Sequence, residues 1–183
     1  INNAKASSTT SSLTIIANSD ATITATSIAA SVAVAIGGSN AISLSGGGAD
    51  AENYILSNTN AYIQDSIIDN VGDVTINAIS DSTITAAVVA LSAGAAAIGS
   101  AVARNYIGYT ADGTKSAAET RAYLENTSID ARGSLTQTAT TTGTITARVG
   151  AGSLGIAAKG STNVSLSGAG VLAENKIGTQ VQA

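Results

Sequence analysis

Thr22-Ile23-Thr24-Ala25 returns as Thr83-Ile84-Thr85-Ala86 and again as Thr144-Ile145-Thr146-Ala147, each time 61 residues on. The chain has 183 residues, three times 61, and reads as three copies of one unit: 1–61, 62–122 and 123–183. A long strict period limits the fold more than any single residue does, because each copy must bury its apolar face against the next. It points to structure rather than to catalysis.

Composition narrows the choice. Phe, Trp, Met, Cys, His and Pro are absent and Tyr occurs only five times. Pro alone makes up roughly 5% of an average soluble protein, so its absence marks a biased, repetitive chain. Ala, Ser, Thr, Gly, Val and Ile must therefore build the core. Hydrophobic residues make up 44% and charged ones 11%, which favours order. A net charge of −4 lacks the basic footprint that nucleic-acid binding needs. The uncharged run Ile84 to Ala103 has the length of a membrane span. It is mostly Ala, Gly and Ser, however, and the matching stretch of the third copy carries Arg148 and Lys159; no membrane span is expected. No signal segment is seen, so any targeting sequence is expected outside these residues.

Each unit opens with a polar β-like segment, then a turn, then a short strand: Leu13-Thr14-Ile15, Val74-Thr75-Ile76 and Leu135-Thr136-Gln137, with period-two alternation. Gly72-Asp73 and Gly133-Ser134 supply turn chemistry in which φ > 0 is easily tolerated. The Thr-Ile-Thr strand follows, with Ile23, Ile84 and Ile145 expected to face inward and the threonines outward. An Ala/Gly/Ser/Val tract comes next. Val32, Val34, Ile36, Ile42 and Leu44 share one parity, as do Leu154, Ile156, Ala158, Val164 and Leu166, which favours strands joined by the turns Gly37 to Asn40 and Lys159 to Thr162. In the second copy Val88, Leu91, Ala95, Ile98 and Val102 fall at helical spacing, so a buried Ala-rich helix per unit is the alternative.

A tag closes each unit: Ala51-Glu52-Asn53-Tyr54-Ile55, Ala103-Arg104-Asn105-Tyr106-Ile107 and Ala173-Glu174-Asn175-Lys176-Ile177. The middle tag arrives nine residues early, and the following segment, Gly108 to Thr120, is nine residues longer than its counterpart, as if a lost core segment were offset by a grown loop. That loop is the clearest insertion and the best candidate for a specific contact.

These features predict an all-β chain, a repetitive β-solenoid rod of three 61-residue units. With coils of roughly 20 residues, one unit makes about three turns and advances about 14 Å.

The motif Ala-Tyr-Ile (Ala61-Tyr62-Ile63; Ala122-Tyr123-Leu124), then Gly-Asp-Val-Thr-Ile (Gly72 to Ile76), then the Ala/Gly/Val tract, resembles the repeats of very large bacterial surface adhesins and filamentous-haemagglutinin-like exoproteins. The resemblance covers the whole chain. It implies an extracellular, cell-surface fibre or adhesin stalk and carries over no catalytic residue.

Chemistry is sparse. Without His or Cys there is no His-based triad, no thiol nucleophile and no ordinary zinc or copper site. Asp65, Asp69, Asp73 and Asp81 are answered in the third copy by Asn126, Asp130, Ser134 and Thr142, the pattern of solvated turns rather than of an enzyme. Gly46-Gly47-Gly48-Ala49-Asp50 only approximates a calcium-binding turn, and Gly168 to Leu172 has no acid. Asn126-Thr127-Ser128 and Asn163-Val164-Ser165 match the glycosylation acceptor pattern. An ice-binding Thr-x-Thr face is the third functional reading, disfavoured because the ladder would have gaps of about 14 Å.

The expectation is thus a non-enzymatic structural repeat without cofactor or metal, giving length and stiffness and partnered by neighbouring repeats or by identical subunits head to tail. The alternative is a module that binds carbohydrate or a surface through Thr/Ser faces or the Gly108 to Thr120 loop. Because Ala183 ends in the phase of Ile1, it is expected to be followed, in the same polypeptide or across a head-to-tail contact, by a segment that packs as Ile1 to Ala21 packs.

Overall fold

The computed structural model describes residues 1–7, 11–34, 43–156 and 165–183. Among these residues the secondary structure is all β. The strands are β1 (Lys5–Ser7), β2 (Leu13–Val32), β3 (Leu44–Ile55), β4 (Asn58–Gln64), β5 (Ile67–Val71), β6 (Val74–Gly94), β7 (Ala96–Ile107), β8 (Ala118–Glu125), β9 (Ser128–Ala131), β10 (Leu135–Gly155), β11 (Leu166–Ile177) and β12 (Thr179–Gln182).

They form four three-stranded sheets, in the orders β1-β5-β9, β10-β6-β2, β11-β7-β3 and β12-β8-β4. Every pairing is parallel. Each sheet takes one strand from each copy, and Thr22, Thr83 and Thr144 are direct register partners. Parallel neighbours need a crossover connection, and here the rest of the unit supplies it. One 61-residue unit therefore passes once through the four sheets and returns one strand further on. Its advance is a single strand spacing of about 4.8 Å, in place of the three turns expected from coils of roughly 20 residues.

The short strands expected at Leu13, Val74 and Leu135 are the first residues of much longer ones. β6 runs unbroken for 21 residues, joining Val74-Thr75-Ile76, Thr83-Ile84-Thr85 and the small-residue tract. The helix alternative fails. Val88, Leu91, Ala95, Ile98 and Val102 lie along β6, the bend at Ala95 and β7, and Leu91 and Ile98 stand outward at 50% and 60% exposure. Alanine's helix preference is overridden because β2 and β10 pair with β6 along nearly its whole length, which no local propensity of a few tenths of a kcal/mol per residue can match.

The inner face of β6 rests on three successive clusters. Val74, Ile76 and Ala78 pack with Ala61, Ile63, Ile68 and Ala122. Ile84 packs with Ile55, Ile107 and Ala118, and Ala86, Val88 and Ala90 pack with Ala49, Ala101 and Ala103. The sheets of β8 and β7 thus cover the long sheet one after the other. Each fully buried Ile or Val contributes about 1.5–3 kcal/mol. Beyond Ala90 the two layers close in. A Cβ at Gly47 would lie 2.5 Å from the Leu91 carbonyl oxygen, and one at Gly99 would lie 2.8 Å from that of Gly152. The small-residue tract is the consequence.

The displaced middle tag is explained by the register. Val32 pairs Ala93 and Leu44 pairs Ala96, a step of twelve residues against three, so nine are missing from the connection between these strands and none from the core. Ile55 pairs Ile107 and Asn58 pairs Glu119, three against twelve, which restores them in the loop. The counterparts of the missing segment, with Ile36, Ile42, Ala158, Val164 and both expected hairpin turns, lie outside the described residues.

Two local expectations change. Positive φ occurs at Asn3, Asp65, Asn70, Asn126, Gly108 and Gly113 rather than at Gly72 or Gly133. At Gly133 a Cβ would meet the Asp73 carboxylate, so a larger residue there would have to displace that side chain, which accepts the Ser134 N–H at 2.8 Å.

Candidate interaction surfaces

Three outward features stand out, and the first is the long sheet. Ile84 is fully buried, so the alternation of β6 turns Thr83 and Thr85 to the outside, as the sequence predicts. In-register pairing then stacks Thr22 on Thr83 on Thr144 and Thr24 on Thr85 on Thr146, with Thr14, Thr75 and Thr136 forming a third rank. On β10 every outward position from Thr136 to Thr146 is threonine. None of the six hydroxyls in the first two ranks has a hydrogen-bond partner among the described residues.

Further along, the same face becomes apolar, with Ile28, Val32, Val34, Leu91, Leu154 and Ile156 exposed. Val32, Leu91 and Leu154 line a shallow depression of about 440 Å³, together with Ala30 and Gly152. Leu44, Ile98 and Leu166 are exposed on the opposite layer. The shared parity of Val32, Val34 and Leu44 is thus an outward parity, because the small residues between them fill the closely spaced interior.

The tags form the second feature. Asn53, Asn105 and Asn175 are register partners, and the buried Asn53 side chain donates to Asn105, which donates to Asn175, each at 2.8 Å. On the outer side Glu52, Arg104 and Glu174 stack with alternating charge. Arg104 pairs with Glu52 and lies 3.5 Å from Asp50. The Tyr54 hydroxyl donates to Glu52 at 2.9 Å, and that bond, followed by Arg104, holds the Glu52 carboxyl below its ordinary pKa. Lys176, 2.6 Å from Glu174, lowers that carboxyl in the same way, with Tyr106 second. The Tyr54 and Tyr106 rings lie 5.4 Å apart, and the Lys176 ammonium sits 5.2 Å over Tyr106. The tags were visible in the sequence, whereas this ladder was not. Equal residues at equal phase were the available signal.

The loop from Gly108 to Thr120 is the third. Asp112 organises it, accepting the Thr110 hydroxyl and the Thr114 N–H at 3.0 Å; these bonds keep its carboxyl below the usual range. Tyr109 and Lys115 close the loop as an antiparallel bridge. Tyr109 also lies against Gly178 of the next unit and near Lys176, 5.9 Å from the ring centre. The loop is therefore a compact hairpin seated on the neighbouring copy, with Ala111, Asp112 and Thr114 at its exposed tip.

The other candidates do not converge. Gly46 to Asp50 lies extended within β3, with Asp50 beside Arg104, so it forms no ion-cradling turn. Among the described residues no three His, Cys, Asp or Glu side chains gather around a common point. Asp65 and Asp73 occupy turns, Asp69 lies on β5, and Asp81 stands outward on β6 beside its register partner Asp20. Asn126 holds a left-handed turn, and the Thr127 hydroxyl donates to the Glu125 carbonyl; Asn163 lies outside the described residues. No helix among the described residues is long and apolar enough to cross a membrane. Comparison with protein families, curated proteins and solved structures finds no match for the chain.

Proposed function

We propose that the chain is a structural repeat segment of an extracellular fibre or giant cell-surface adhesin, a β-solenoid rod whose units stack end to end. The observation that carries this reading is the in-register parallel stacking of all four sheets at one strand per unit. The outermost strands β2, β3, β10 and β11 keep one side free for further pairing, and another unit of the same kind would continue each ladder. The composition, the repeat and the resemblance to adhesin repeats support the extracellular setting.

One strand spacing per 61 residues changes what such a rod provides. A unit that could extend to roughly 200 Å advances only about 4.8 Å. The chain is spent on cross-section, since β6 alone spans about 70 Å. Stiffness and broad faces follow, more than reach. The test is small-angle scattering on chains of three, six and nine units. A constant cross-section, with length growing by about 14 Å for every three units added, supports the reading; a radius growing as an unfolded or beaded chain would overturn it.

A further inference from the structure

The threonine ranks carry an inference independent of the fibre reading. Coils of roughly 20 residues would have left about 14 Å between successive Thr-x-Thr pairs. The observed register removes those gaps. Thr22, Thr83 and Thr144 occupy adjacent strands, and so do Thr24, Thr85 and Thr146. The result is a two-dimensional array with repeats of about 4.8 Å across the strands and about 6.7 Å along them.

We propose that this outer face of the β2-β6-β10 sheet binds ice, holding the water of a crystal surface through the two threonine ranks. Each threonine presents a hydroxyl and a methyl group together, and its β-branched side chain is stiff at χ1, so the array is ordered before anything binds. Preorganisation of this kind removes the ordering cost that would otherwise offset many weak contacts. The hydroxyls have no protein partner among the described residues and are free to complete hydrogen bonds to ordered water. Ile23, Ile84 and Ile145, between the ranks, are anchored in one core cluster and fix the strands from beneath.

Strand propensity alone accounts for threonine on an exposed strand, but not for where the copies agree. The outward ranks on either side diverge, to Asp20, Asp81 and Thr142 and to Thr26, Ala87 and Arg148, while both Thr-x-Thr ranks are identical in all three copies. The two ranks are free of charge; Asp20 and Asp81 border them on one side and Arg148 on the other. Carbohydrate fits this face less well. Aromatic platforms for sugar stacking are absent from the sheet, since the five tyrosines lie at 54, 62, 106, 109 and 123.

The test follows fluorescently labelled chain during slow growth of an ice hemisphere, together with thermal hysteresis and crystal shape. The unmodified chain is expected to enter the ice and to shape the crystal. Thr83→Tyr with Thr144→Tyr should lose most of this uptake with circular dichroism and unfolding midpoint unchanged. Ser100→Tyr, on the outside of the opposite layer, should retain it. Thr83→Val keeps the shape without the hydroxyl and serves as the mild variant should the Tyr pair not fold. Exclusion of the unmodified chain from ice overturns the proposal. So does undiminished uptake by the Thr83→Tyr, Thr144→Tyr pair, or face-dependent binding to a crystalline polysaccharide without uptake into ice.

Discussion

At the scale of single residues, the account rests on which side of a long strand each side chain occupies. Ile84 is fully buried between its neighbours, so Ile84→Asp, which places an unpaired charge there, is expected to cost at least about 4 kcal/mol. Thr85→Ser, on the outside, should cost less than about 1 kcal/mol; chemical unfolding of both variants checks the facing. Asn105 is likewise fully buried and both donates and accepts in the asparagine ladder. Asn105→Ala strands the buried Asn53 amide, and a loss of about 1–3 kcal/mol in the same assay is expected. Glu52, Glu174 and Asp112 have folded pKa values lowered from the ordinary 4.5, 4.5 and 3.8. Their contribution is present above those values and lost as pH falls through the lowered ones. All three are solvent-exposed, so the loss is modest and salt-screened. Thermal unfolding against pH should show a shallow fall that begins as pH drops through the ordinary carboxylate range, continues below it, and shrinks in Arg104→Met, which removes the partner of Glu52.

Among the elements, the closely approaching layers separate glycines that look alike in sequence. Gly47 faces the Leu91 backbone at a distance that leaves no room for a Cβ, while Gly46 beside it meets nothing within 4 Å. Gly47→Ala is expected to destabilise by about 1–3 kcal/mol. Gly46→Ala should be neutral to stabilising by up to about 1 kcal/mol. Denaturant midpoints of the pair decide it. The repeat, the inward isoleucine and the phase of the tags were legible in sequence because each follows from period-two alternation and a fixed offset. The length of β6 was not, although a signal existed: no Gly interrupts Val74 to Ala93 in a chain that has no Pro. A sequence period counts repeats but does not say how many turns one repeat makes, and the error in coil length followed from that. The same error hid the threonine array and the asparagine ladder, since both exist only when equivalent residues of successive copies touch. The tract of the second copy misled in another way, as its alanines carry a helix preference that matters only where no neighbouring strand is waiting.

For the whole molecule, the central claim is that one 61-residue unit advances one strand, so residues 61 apart are neighbours. A disulfide reports this directly, because it needs Cα atoms within about 7 Å. Thr83 and Thr144 are register partners on the exposed face, about 4.8 Å apart. Thr83→Cys with Thr144→Cys, in a chain that has no other cysteine, should therefore oxidise under mild conditions to an intramolecular bond without loss of β structure. Pairing Thr83→Cys with Arg148→Cys, four residues along β10 and about 13 Å further, should not. Three turns per unit would instead place the first pair about 14 Å apart. Rapid cross-linking of the first pair alone is the predicted result, and a first pair that stays reduced while the protein remains folded would contradict it.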